Sequence, residues 1–186
     1  MIEDFRIEPL ETSHFVRPAL VRYRQNGAEK SWEIIRAHDS VAVLIYDRDN
    51  DAFILVKQFR PAVYLQNGEG YTVELCAGIV DKTSSLLQIA KEEIEEECGY
   101  DVPIEQIGKI TSFYTSVGFA GSKQTLYYAE VDRSMKVHEG GGIEMEEIEV
   151  VMLPVQEAKA FMFDETQVKT PGLLFAFMWF FDRFSR

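Results

Sequence analysis

Five glutamates crowd into six consecutive positions of this chain, Glu92, Glu93, Glu95, Glu96 and Glu97, near the end of a segment with helical apolar spacing. Leu86, Leu87, Ala90, Ile94 and Cys98 recur at that spacing, Ser84 or Ser85 can cap the start, and Gly99 suits the position just past the end. The acids therefore gather at the helix end that carries partial negative charge, where cations are preferred. The pairs Glu92/Glu96 and Glu93/Glu97 add like-charge repulsion of about 0.2–0.5 kcal/mol each. At about 100° per residue from Leu86, the apolar side chains fill an arc from about 0° to 120° and Glu97 falls near 20°, inside it. Glu93, near 340°, and Glu96, near 280°, flank that arc, whereas Glu92 and Glu95 face outward. A solvated acidic helix would leave Glu97 in water. A buried carboxylate needs a partner or a metal, and a divalent cation is the simplest compensation for the whole cluster.

The rest of the chain supplies a mixed α+β frame for this helix. Residues 16–24 and 30–36 alternate in a strand-like way around Asn26 and Gly27, a strong hairpin signal. Residues 40–46 and 53–59 read as a second hairpin around the turn at 47–51. Residues 60–70, with Pro61, Asn67, Gly68 and Gly70, read as a loop, and 71–77 as the strand leading into the glutamate helix. Strands are expected at 107–112, 124–131 and 143–153, and helices at 155–163 and 173–184. No internal repeat or low-complexity linker interrupts the pattern.

Composition narrows the function classes. A chain of 186 residues with 46% hydrophobic content can bury one substantial core. A formal net charge of −12 argues against nucleic-acid binding, which depends on lysine and arginine. It also makes an anionic substrate unwelcome without a metal. The first ten residues lack both a basic start and an apolar run, so no signal peptide is expected. Cys76 and Cys98 fall in buried-looking elements and read as reduced core residues, consistent with a cytoplasmic location. The apolar run at 173–181 is too short for a bilayer, which needs about 20 residues, and reads as core or subunit interface.

The 23 positions from residue 78 to 100 resemble the Nudix box, G-x5-E-x7-R-E-U-x-E-E-x-G-U with U a bulky apolar residue, through Gly78, Glu93, Ile94, Glu96, Glu97, Gly99 and Tyr100. Two positions depart from it. The first glutamate of the box is Ser84, and its arginine, which orients the carboxylates in the family, is Glu92. A basic residue from elsewhere would have to substitute, with Lys57 and Arg60 the nearest suspects.

The runs YRQNGAEKSW (23–32), HDSVAVL (38–44), KQFRPAVY (57–64), VELCAGIVD (73–81) and GSKQTLYY (121–128) extend the likeness to the UDP-sugar branch of the ADP-ribose pyrophosphatase group. The resemblance implies a Nudix fold, a mixed β-sheet sandwiched between helices at 39–186, preceded by a small antiparallel β element at 1–38 that helps form a homodimer. It implies hydrolysis of a nucleoside diphosphate sugar, of UDP-glucose or ADP-ribose type, with magnesium or manganese. The implied metal ligands are Glu93, Glu96, Glu97 and the backbone carbonyl of Ala77, with Gly78 letting the backbone turn close. The general base would come from a late loop, which here carries Glu144, Glu146 and Glu147 behind three glycines; Glu144 is favoured, then Glu146. Arg60 is nominated for a phosphate, Glu74 for substrate or metal support, and Arg36 for stacking on the base, while Trp32 is expected to pack in the interface. Two other readings stand beside this one: a Nudix hydrolase of another nucleoside diphosphate derivative, and a degenerate module that binds nucleotide or a partner without turnover.

Overall fold

The computed structural model describes residues 2–13, 15–143 and 146–184. Among the described residues, nine strands and four α-helices follow one another as β1 (Arg17–Gln25), β2 (Ala28–Arg36), β3 (Ser40–Asp47), β4 (Ala52–Phe59), α1 (Pro61–Asn67), β5 (Tyr71–Glu74), β6 (Cys76–Ile79), α2 (Leu86–Cys98), β7 (Gly108–Thr115), β8 (Ser122–Val131), β9 (Ile148–Pro154), α3 (Val155–Phe163) and α4 (Pro171–Phe184). β1 and β2 form a sheet of their own, closed by Asn26 and Gly27 at positive φ, the pair of left-handed residues that a tight hairpin turn requires. The other seven strands make one mixed sheet in the order β5-β4-β3-β8-β7, with β6 also on β3 and β9 also on β4. β3 and β8 run parallel and the remaining pairs antiparallel.

The sheet is buried on both faces, and the two-residue period of its strands divides the core. Val41, Val43 and Ile45 of β3, with Ile54 and Val56 of β4, meet Ile89, Ala90, Ile94 and Cys98 of α2. Ala42 and Leu44, with Phe53 and Leu55, meet Ala158 of α3 and Leu173, Phe177 and Phe180 of α4. The result is the helix–sheet–helix sandwich that the sequence pattern implies. α4 settles the apolar run at the C-terminal end: Leu173, Ala176, Phe177 and Phe180 lie on the sheet while Phe175 and Met178 are exposed. Among the described residues no helix is long and apolar enough to cross a membrane.

Three local expectations need correction. Residues 60–70 contain a seven-residue helix rather than only a loop, because Pro61 sits at the start, where its missing N–H costs nothing, and Gly68, at φ 75°, ends it. The strand expected at 71–77 is broken into β5 and β6, which pair with different neighbours, β4 and β3. The last strand begins at Ile148, after the glycine loop has turned back over α2.

Candidate active site

α2 begins at Ser85, whose side chain accepts the Gln88 N–H at 3.1 Å, and ends at Gly99 in the left-handed conformation. Its buried face comprises Ile89, Ala90, Ile94, Glu97 and Cys98, so the apolar arc is rotated toward Ile89, and Leu86 is left exposed. Glu97 is inside that face, only 4% exposed. Its Oε2 accepts the Ala77 N–H from β6 at 2.9 Å, which fastens the carboxylate to the strand that enters the box. Burial pushes the Glu97 carboxyl up to about 8, against the pull of the Ala77 amide and the Cys76 thiol. Burial, with repulsion from Glu96, likewise raises Glu93 to about 7.

Glu93 lies directly on Gly78: a methyl group at Gly78 would collide with the Glu93 carboxylate. The bare glycine leaves the space that the Glu93 side chain occupies, and an added methyl would force that side chain to move. Among the described residues no three acidic, imidazole or thiol side chains converge tightly enough to cage an ion alone. The donors here are oxygens, which suits a hard cation that keeps several waters and takes further oxygens from backbone and substrate. A buried and a half-buried carboxylate, both with raised pKa values, fit such an ion, because an added positive charge would stabilise both anions.

The negative end of α2 is closed by the late glycine loop. Gly141 N–H donates to the Glu97 carbonyl at 2.9 Å and Gly142 N–H to the Glu96 carbonyl at 3.1 Å. Lys136 Nζ donates to the Cys98 carbonyl at 3.1 Å and lies over the Tyr100 ring. Acids are tolerated at this end because amides and a lysine satisfy the carbonyls that a helix leaves unpaired. The same bonds bring Glu146 within electrostatic reach of Glu93, Glu97 and Arg60. Its Oε2 accepts the Ile143 N–H at 3.0 Å. Glu144 lies outside the described residues.

Arg60 and Glu74 are brought to each other. Arg60 Nε and Nη2 donate to Oε1 and Oε2 of Glu74, both at 2.8 Å, and the Thr72 hydroxyl also donates to Glu74. Burial alone would raise the Glu74 carboxyl, but its bonds to Arg60 and Thr72 hold it below the ordinary value. Of the two suspects for the lost box arginine, Arg60 pairs with Glu74 while its charge also acts on Glu97, and Lys57 pairs with Glu149 at 3.4 Å. Lys82, from the loop before α2, pairs instead with Glu92 at 3.3 Å, and its charge also acts on Glu93 and Glu96. Sequence reasoning missed it because no helical or strand period links a loop lysine to a residue ten positions on. Arg36, at the end of β2 opposite Arg17, makes no hydrogen bond or ion pair with the carboxylates among the described residues. It lines a separate cleft with Phe15, Arg17 and His38.

Residues 36–171 match the NUDIX domain. The chain is a member of the Nudix family. This Nudix chain is 38% identical to the uridine diphosphate glucose pyrophosphatase of Bos taurus, over 97% of its length and 94% of the relative's. It is 36% identical to the Mus musculus protein of the same name, over 92% and 90%. A GDP-mannose pyrophosphatase of Cronobacter sakazakii is 39% identical over 68% of this chain and 65% of that one. Within the Nudix fold, the paired carboxylates, Gly78 and the capped helix end all belong to the box.

Proposed function

We propose that this Nudix protein is a metal-dependent hydrolase that splits the diphosphate of a nucleoside diphosphate sugar into a nucleoside monophosphate and a sugar phosphate. The observation that carries the reading is the pair of carboxylates, buried Glu97 fastened to Ala77 and half-buried Glu93 seated on Gly78. The relatives' names share a nucleoside diphosphate hexose and differ in both the base and the hexose. Glu93, Glu96 and Glu97, with the Ala77 carbonyl, would hold magnesium or manganese. Such a cation, when bound, neutralises diphosphate oxygens and lowers the pKa of an attacking water.

The chain's own groups do the rest. Glu97 stays in place through the Ala77 N–H, and the Gly141 and Gly142 amides keep the base loop against α2. Glu146, or Glu144 on the same loop, takes the proton of the attacking water. Arg60, held along its Nε and Nη2 edge by Glu74, offers its other edge to a phosphate oxygen. Arg36 and the β1–β2 ribbon serve the active site of a second copy in a homodimer, and Arg36 stacks on the base there. The ribbon is exposed along nearly all of both strands, a state in which an isolated hairpin is marginal in water. Two free buried thiols favour a reducing, cytoplasmic setting.

The test is incubation of the purified protein and magnesium with UDP-glucose, GDP-mannose, ADP-ribose, dinucleotides and triphosphates, with products read by phosphorus NMR. A nucleoside monophosphate and a sugar phosphate are expected. No metal-dependent hydrolysis of any of these compounds would overturn the reading.

A further inference from the structure

A cavity of about 390 Å³ lies on the α4 side of the sheet, with Glu74 and Ala77 in its wall. Its volume is within the range of small-molecule sites, about 300–1,000 Å³. No lysine or arginine lines it, and its one charged wall residue, Glu74, is already neutralised by Arg60. It is therefore unsuited to a phosphate and suited to a neutral ligand. We propose that this cavity receives the glycosyl group of the substrate, with Gln124 and Phe113 as the residues that recognise it. The inference rests on the diphosphate-sugar reading above.

The chemistry of the walls favours a polyol. Gln124 Nε2 is fixed by the Ser40 hydroxyl at 3.1 Å, which turns its Oε1 toward Gly172. A methyl group at Gly172 would lie 2.9 Å from that oxygen, so the bare glycine keeps the acceptor open to the cavity. Ser116 and Thr170 add hydroxyls. Ser116 holds φ 48°, an uncommon conformation for a residue with a side chain, and its carbonyl accepts the N–H groups of Phe119, Ala120 and Gly121. Phe113 and Tyr114 are consecutive on β7, so their rings point to opposite faces of the strand and cannot clamp a flat base between them. The Phe113 ring, beside Gly172, is the one that faces the cavity, and a single ring suits the C–H face of a sugar with its hydroxyls directed to Gln124, Ser116 and Thr170. Because Ala77 is shared by the cavity and the Glu97 carboxylate, a diphosphate at the carboxylates would lead its sugar into this space.

Two measurements test this on the whole chain. The first compares kcat/KM for UDP-glucose with that for the methyl ester of UDP, which keeps the nucleotide and lacks the sugar. Gln124→Leu, and independently Phe113→Leu, are expected to lower this ratio at least tenfold. A ratio within twofold of the unmodified protein in both variants would overturn the assignment, whether or not absolute rates fall. The second is saturation-transfer NMR of UDP-glucose in EDTA, which stops turnover. Saturation of the glucosyl protons is expected to fall in both variants relative to the uracil protons; a fall confined to uracil, an equal fall in both groups, or no saturation in the unmodified protein would sink the proposal. Glucosyl contact without hydrolysis would support the cavity and defeat the hydrolase reading alone. Hydrolysis with an unchanged ratio and unchanged saturation would do the reverse.

Discussion

A glutamate inside a hydrophobic helix face is unstable unless its neighbours have been arranged for it. Glu97 has one short bond from Ala77, and Glu93 has the space that Gly78 leaves. Glu97→Gln keeps the shape and the Ala77 bond but removes the negative charge, so turnover should fall by about 100-fold or more with little change in Tm, since a neutral amide is easier to bury than an anion. Normal steady-state rates would show that the metal is held elsewhere. Gly78→Ala should also lose activity, by displacing Glu93, and isothermal titration with manganese should show weakened binding in that variant. Unaltered manganese affinity would contradict the close approach of strand and helix.

At the scale of elements, α2 and the glycine loop behave as one piece. Gly140, at φ 77°, has no room for a methyl group because its backbone lies against the Glu97 carbonyl. Gly140→Ala should therefore destabilise the protein by about 1–3 kcal/mol in urea denaturation, with both left-handed strain and loss of the loop's bonds to α2 contributing. An unchanged midpoint would mean that the loop does not brace the helix. This pairing also marks where the sequence could be read and where it could not. Ser85, the apolar spacing and Gly99 define α2 from local pattern alone, and the near-continuous apolar runs of β3 and β4 mark strands buried on both faces. Helix α1 is hidden because Pro61 and Gly68, which delimit it, look the same as loop punctuation when only seven residues separate them. Lys82, Lys136 and the loop amides come to α2 through tertiary folding, and no sequence period encodes that. The Arg60–Glu74 pair is invisible for the same reason, since it depends on the register of β4 against β5.

For the molecule as a whole, the carboxylate pair couples stability to pH. The unfolded chain ionises Glu93 and Glu97 near the ordinary value of 4.5, whereas the folded metal-free protein does so only at about 7 and 8. The folded state then binds more protons between those values, so its stability falls as pH rises from about 4.5 to 8 and levels off above. Differential scanning calorimetry in EDTA should show Tm falling by several degrees from about pH 5 to 8.5 through this contribution, and added magnesium should reverse the fall most at the alkaline end. A Tm that rises across this range in EDTA and ignores magnesium would contradict the raised pKa values. The exposed ribbon sets a second property at this scale. Leu20, Tyr23 and Trp32 are open to solvent in the single chain, while Trp32 Nε1 and the Ile35 amide tie β2 to Gly118 and Phe119. Light scattering should give twice the chain mass of 21.4 kDa, and Leu20→Glu should shift it toward that of one chain. A monomer at micromolar concentration would rule out a shared site.

The parallel pairing of β3 with β8 has a kinetic consequence. Ser40 and Gln124 are 84 positions apart in sequence yet neighbours in the sheet. Ribosomal synthesis delivers the glutamate helix before β8 exists, so the nascent α2 has only part of its sheet to lie on. Closing so long a loop is slow compared with forming local hairpins. Assembly of the α2 carboxylates against β6 should therefore be among the last events of folding, and a cation that binds them should slow unfolding more than it speeds folding.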